Sequence, residues 1–164
     1  MGMVTAEIVV AWPLEGVWEL YNDWLSDPAK MMPAEMEMRT ESADLPIRAG
    51  SRVVSTSKGL FGRRMRCVAR IVEHRPPHGV IFGQEARLVD EQAEGPFAYW
   101  QHEHEFEAVD AKTTRVVDRV KYGLRWGPIG WVLDWLVGRR KIRAILEYRH
   151  GLWRQAFGAG MEVG

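Results

Sequence analysis

The hydrophobic pattern changes its period twice along the chain. Val4 to Ala11 is rich in β-branched residues and reads as a strand. Pro13 then opens a helix, where its missing N–H costs nothing. Leu14, Val17, Trp18, Leu20 and Tyr21 recur at helical spacing, and this helix is expected to end near Asp23. Asp27-Pro28 starts a second, short helix that Pro33 stops.

From Ala34 to Arg125 the period is two. Met36 and Met38 alternate with Glu35, Glu37 and Arg39; Met65, Cys67, Ala69 and Ile71 alternate with Arg64, Arg66 and Arg70. Trp100, His102, His104 and Phe106 alternate with glutamates, and Val116, Asp118, Val120, Tyr122 and Leu124 alternate with Arg115, Arg119 and Lys121. Turn signals separate the runs at Ala49-Gly50, Gly59 to Gly62, Pro76 to Gly79, Glu94-Gly95-Pro96 and Asp110-Ala111-Lys112. Six strands follow the two helices on this reading, seven with the first. One face is charged and the other mostly apolar, as an antiparallel sheet with one wet side requires.

Gly127-Pro128-Ile129-Gly130 closes the sheet, and the remainder reads as one helix to about Phe157. Trp131, Trp135, Gly138, Ile142, Ile145, Leu146, Arg149, Leu152, Trp153 and Ala156 form its stripe, with Arg140, Arg143, Glu147, His150, Arg154 and Gln155 elsewhere on its surface. Such a helix buries its stripe on the apolar face of the sheet. The predicted fold is α+β, a helix grip: a seven-stranded curved antiparallel sheet around a long C-terminal helix, with two short helices after the first strand. Small inner residues (Ser55, Ser57, Ala69, Gly138) predict space between sheet and helix.

Composition narrows the class. The chain has 164 residues, 46% of them hydrophobic, which suits a single domain over 1–164. Its 22 basic residues are matched by 22 acidic ones, so no charge excess favours nucleic acid. A lone cysteine, Cys67, gives no disulfide framework and no cysteine-cluster zinc site. The N-terminal residues lack the pattern of a secretory signal. No apolar run approaches the roughly 20 residues of a membrane span. The expected location is cytoplasmic.

These features resemble the SRPBCC (START-like) superfamily, in particular small bacterial proteins of the polyketide cyclase/dehydrase type. The residues that carry the resemblance are Pro13 with Val17-Trp18, then Gly95-Pro96-Phe97 followed by Trp100, His102, His104 and Phe106. Thr114, Asp118 and Tyr122, the Gly127–Gly130 segment and Tyr148-Arg149 complete it. Relatives often carry Leu-Pro and a glycine where this chain has Leu124-Arg125-Trp126. The resemblance implies a deep apolar cavity between sheet and helix and a scaffold shared by carriers, cyclases, hydrolases and stress regulators.

Candidate chemistry concentrates on one hairpin. Trp100, His102, His104 and Phe106 share the inner face, and Asp118 and Tyr122 share it on the next strand. The short turn and strand parity place Asp118 opposite His104 or Phe106. Three readings are open: a structural polar network; a lining that fixes the polar end of an apolar ligand through Trp100, His102, His104, Asp118, Tyr122, Trp135 and Arg149; or acid–base catalysis of a cyclase or dehydratase by His102, His104 and Asp118. His102, His104 and Asp118 could also form a three-ligand metal site. Without a further inward Cys or His, the expectation is no metal, and no nucleotide cradle or nucleophile motif points to a cofactor.

Arg149 interrupts the inner stripe. The plainer reading has its stem packed and its head reaching a carboxylate at the helix edge; the functional one holds an anion over the cavity. Leu133, Leu136 and Val137, opposite the Trp131/Trp135 stripe, read as burial under the Phe61 loop, or as a portal, a homodimer contact or a peripheral membrane patch flanked by Arg139, Arg140 and Lys141. The expected partner is a hydrophobic small molecule, with no nucleic acid.

Overall fold

A computed structural model describes residues 1–58, 63–78, 84–124 and 138–158. Strand β1 (Gly2–Val10) leads into helix α1 (Leu14–Ser26), and two 3-10 turns follow at Pro28–Met31 and Ala34–Met36. Then come β2 (Arg39–Ala43), β3 (Arg52–Lys58), β4 (Arg64–Arg75), β5 (Glu85–Glu94), β6 (Phe97–Asp110), β7 (Thr113–Leu124) and helix α2 (Arg139–Phe157). The seven strands form one antiparallel sheet in the order β1-β7-β6-β5-β4-β3-β2. The chain order, the seven strands and the helix across their inner face are those the sequence predicts.

The differences have local causes. Helix α1 runs past Asp23 because Trp24 and Leu25 extend its buried stripe. Trp24 meets Trp153 of α2 with ring centroids 4.5 Å apart. Met36 and Met38 do not begin a strand: Ala34–Met36 is a 3-10 turn that ends on Glu37 at φ 45, and β2 starts at Arg39. That left-handed backbone is unusual for a side chain larger than glycine. Lys58 and Arg64 both pair with the Glu37 carboxylate, at 2.9 and 3.2 Å, and hold the turn against β3 and β4.

Two bulges re-phase β4 and β5. Val68 pairs with Glu94 but Ala69 with Gln92, and Ile71 pairs with Asp90 but Glu73 with Val89. Ala93 and Val72 are therefore extra residues, and each adds twist to its strand. After Val72 the inner face passes to His74, whose Nε2–H donates to Asn22 Oδ1 of α1 at 2.9 Å. Gln92 closes the β5–β6 hairpin by donating to the Phe97 carbonyl at 2.9 Å and accepting from its N–H at 3.3 Å.

The core lies between the inner face and the two helices. Val10, Val17, Leu88, Phe106 and Trp153 are almost fully buried in one apolar cluster, and Val4, Val120, Tyr122, Ile142 and Leu146 form a second. Helix α2 buries Ile142, Leu146, Arg149, His150 and Trp153. Ala156, expected on the stripe, is exposed. His150, expected outside, is buried because it stands one turn beyond Leu146 on the same side. The outer face carries cross-strand pairs such as Arg119–Glu105 at 2.5 Å and Lys121–Glu103 at 2.5 Å, as alternation predicts. Among the described residues no helix is long and apolar enough to cross a membrane.

Several expectations fall outside the described residues. They concern the Phe61 loop, the Gly127–Gly130 segment, Trp131 and Trp135, and the apolar positions Leu133, Leu136 and Val137.

Candidate functional site

Two rows of side chains cross the inner face of β1, β7, β6, β5 and β4. One runs Val4, Val120, His102, Asp90, Ile71, and the next runs Ala6, Asp118, His104, Leu88, His74. His104 stands directly opposite Asp118, one of the two registers that parity allows. The second carboxylate, Asp90, stands opposite His102 and one diagonal step from His104. The small Ala6 beside Asp118 on β1 keeps that side of the carboxylate uncrowded.

His104 is the hub. Its Nδ1 lies 2.6 Å from Asp118 Oδ1 and its Nε2 lies 3.2 Å from Asp90 Oδ2. Carboxylates accept, so filling both hydrogen bonds puts a proton on each ring nitrogen. Burial alone would drive that charge out, but the bonds to Asp118 and Asp90 outweigh it and raise the His104 pKa above its ordinary value. The same bonding acts on the acids. Burial works to raise Asp118, yet His102 and His104 hold it well below the usual carboxylate range. Asp90 is likewise lowered, against its burial, by the hydrogen bond from His104 and the charges beside it.

His102 behaves in the opposite way. Its ring centroid is 3.7 Å from that of His104. Burial and the neighbouring His104 cation push its pKa down to about 4, although Asp118 pulls the other way. Its Nε2 is 3.2 Å from Asp118 Oδ1, yet alignment is too poor for a hydrogen bond and the atom is left unpartnered. Two imidazoles side by side thus occupy different states near neutral pH: His104 protonated, His102 neutral.

Helices complete the walls. The Tyr21 ring of α1 lies over His104, centroids 4.8 Å apart, and also touches Phe106 and Trp153. Burial drives the Tyr21 phenol well above its usual pKa, so it stays protonated. Arg149 descends from α2 and is only 8% exposed. Its charge acts on Tyr21, Asp90 and His102, but its Nε and Nη1 have no hydrogen-bond partner among the described residues. Among the described residues the head pairs with no carboxylate at the helix edge. Trp100, half-buried, pairs with Tyr122 across β6–β7 and meets Phe97 at 4.7 Å. Tyr122 is buried, and Gly2 lies against its ring so closely that a Cβ there would come within 2.5 Å. Of the residues expected in the site, Trp100, His102, His104, Asp118, Tyr122 and Arg149 are on the inner side; Trp135 is outside the described residues.

Asp90, His150 and Tyr21 are the members that sequence reasoning left out. Asp90, His102 and His104 each offer a ligand atom within 4.8 Å of the others, the kind of set that could hold a metal ion. In the arrangement observed, His104 Nε2 is already engaged by Asp90, and the Arg149 charge acts on two of the three. The arrangement suits proton chemistry: a charged imidazole and a neutral one, with carboxylates behind them.

Residues 10–147 match the model of the family described as polyketide cyclase / dehydrase and lipid transport. No curated protein sequence matches the chain. Solved structures with the same fold include the Zhui aromatase/cyclase from Streptomyces sp. R1128, at 19% identity and TM-score 0.62, covering 97% of this chain and 98% of that one. A START superfamily protein from Mycobacterium smegmatis aligns at 11% identity and TM-score 0.62, over 94% and 98% of the two chains. Norcoclaurine synthase from Thalictrum flavum, in complex with dopamine and hydroxybenzaldehyde, aligns at 13% identity and TM-score 0.61, over 92% and 85%.

Proposed function

Since the chain belongs to the polyketide cyclase/dehydrase and lipid transport family, we propose that it binds a mostly apolar small molecule between the sheet and α2. One observation carries the reading. Ionisable groups on the inner face, His102, His104, Asp90 and Asp118, sit among aromatic and aliphatic side chains, and Arg149 faces them from the helix with donors unused. Burying such groups is costly, and a purely structural network would leave fewer of them unsatisfied. Apolar walls with a few convergent polar groups are what a small-molecule site requires. The aromatic rings of Trp100, Tyr21 and Trp153 supply the wall, and the two histidines with Asp118 select the polar end.

Native mass spectrometry of the purified protein, run beside an organic extract of it, tests the reading. A co-purifying small molecule of stoichiometric abundance supports it. Protein that stays at its bare mass, and gains no mass when offered a panel of apolar aromatic and aliphatic compounds, overturns it.

A second reading rests on the split between the two imidazoles. In it neutral His102 would take a proton from carbon next to a carbonyl, and His104 would give one to a departing hydroxyl from Nε2 once that atom lets go of Asp90. Together these steps would eliminate water from a polyketide-like substrate, with Asp118 holding His104 in place. Incubation separates the two. A carrier returns its ligand unchanged, and His104→Ala weakens binding modestly. A cyclase or dehydratase returns it with water lost or a ring closed, and His104→Ala abolishes that conversion.

A further inference from the structure

We propose that the ligand is an acid whose oxyanion is received by Arg149. The inference rests on the small-molecule reading and specifies the polar end of the guest.

The argument begins with a surplus of donors. Arg149 is buried, and its Nε and Nη1 lack partners. Unlike its neighbours, a guanidinium cannot escape burial by giving up its proton. No ion pair to Arg149 occurs among the described residues. The two buried carboxylates that could have served are engaged elsewhere: Asp118 by His104 at 2.6 Å, and Asp90 by His104 at 3.2 Å. Both share the His104 cation, so the charge of Arg149 is not neutralised by direct contact.

Two further buried groups are in the same condition. The Tyr21 hydroxyl and His150 Nε2 have no partner, and both residues are more than nine-tenths buried. Tyr21 feels the Arg149 charge, so phenol and guanidinium serve one region, and His150 is the next residue on the helix. What this region lacks is an acceptor. A carboxylate supplies acceptor lone pairs in the bidentate geometry that matches the guanidinium fork, which water cannot. Leu146 and Trp153, on either side of Arg149 along α2, are almost completely buried and present hydrocarbon to the rest of the guest. The chemistry recognised is therefore an amphiphilic carboxylic acid, in preference to the corresponding ester, alcohol or amine.

Titration calorimetry with dodecanoate, methyl dodecanoate and dodecanol tests this, at concentrations below micelle formation. The expected result is dodecanoate binding roughly tenfold or more tightly than the other two, the effect of one charged hydrogen bond. In Arg149→Gln the acid should fall to the level of the ester, with the ester unchanged. Equal binding of acid and ester by the wild type overturns the inference and leaves the small-molecule reading standing. Failure of all three to bind overturns the inference, while the small-molecule reading is decided by the native mass spectrometry. Should Arg149→Gln not fold, the acid-to-ester ratio of the wild type decides alone.

Discussion

His104 and Asp118 face each other directly across the β6–β7 pair, joined Nδ1 to Oδ1 at 2.6 Å, and neither reaches solvent. The same strands carry Glu105 and Arg119 one residue away on the opposite face, also paired, at 2.5 Å but about one-third exposed. These sequence neighbours occupy opposite sides of the sheet, the outer pair reaching diagonally because Glu105 lies opposite Val117. Their energetic weights should differ accordingly.

Asp118→Asn is expected to destabilise the fold far more than Glu105→Gln. Breaking a buried charged pair costs about 3–5 kcal/mol, because the abandoned partner stays buried. An exposed pair is worth about 0–1 kcal/mol. Denaturant midpoints of the two variants check this, and equal midpoints would contradict the assignment of faces.

Stability should peak near pH 6.5 and fall on either side. His104 has a raised pKa, so its contribution is complete below the unfolded value near 6.5 and is lost as pH rises through the folded one. His102 has a pKa lowered to about 4, so it takes nothing pH-dependent from stability above 6.5 and a growing amount as pH falls towards 4, roughly 3 kcal/mol in all. Asp118 and Asp90, both depressed, add their loss at still lower pH. Melting temperatures from pH 4 to 9 measure the two limbs. His102→Gln should flatten the acid limb and His104→Gln the alkaline one; a curve without the two limbs would be inconsistent with these charge states.

Tyr21→Phe should leave stability unchanged or raise it by about 1 kcal/mol. A buried hydroxyl without a partner is a liability that phenylalanine removes while keeping the ring contacts to His104 and Phe106. A loss above 1 kcal/mol in the unliganded protein would mean that the hydroxyl has a partner.

Chelation should not alter the melting temperature. A divalent ion at Asp90, His102 and His104 would have to displace the proton that His104 shares with Asp90 while facing the charge of Arg149. Elemental analysis after dialysis, together with melting curves with and without EDTA, checks this. One equivalent of zinc, iron or copper would refute it.

The partner of Asp118 could be narrowed to His104 or Phe106 because nothing interrupts the register of β6 and β7 between Tyr99 and Ala108. Parity carries information wherever the ladder is regular. Asp90 was not legible for the converse reason: its strand pairs with β4 through two bulges, and Leu88-Val89 gives no clean alternation. His150 was missed because the stripe was drawn through Arg149 and left its neighbour to one side, although Leu146, Arg149, His150 and Trp153 share its spacing. Met36 and Met38 imitated a strand because an alternation of only five residues, Glu35 to Arg39, cannot be told from a turn. The order of elements along the chain and the helix laid over the inner face followed from periodicities sustained over many residues.

The extra residue Val72 gives β4 an unusual tolerance. A side chain's face is decided by counting residues along the strand, much as meaning in a message depends on reading frame. Removing Cys67, where the pairing with β3 carries no bulge, would shift that count and send Met65 towards the charged side. Removing Val72, which is 37% exposed, would leave Ala69, Ile71 and His74 on the same side as before, because the count it disturbs is already off by one. Position 72 is thus where this strand can lose a residue without turning its core outward, at the cost of the bend the bulge provides.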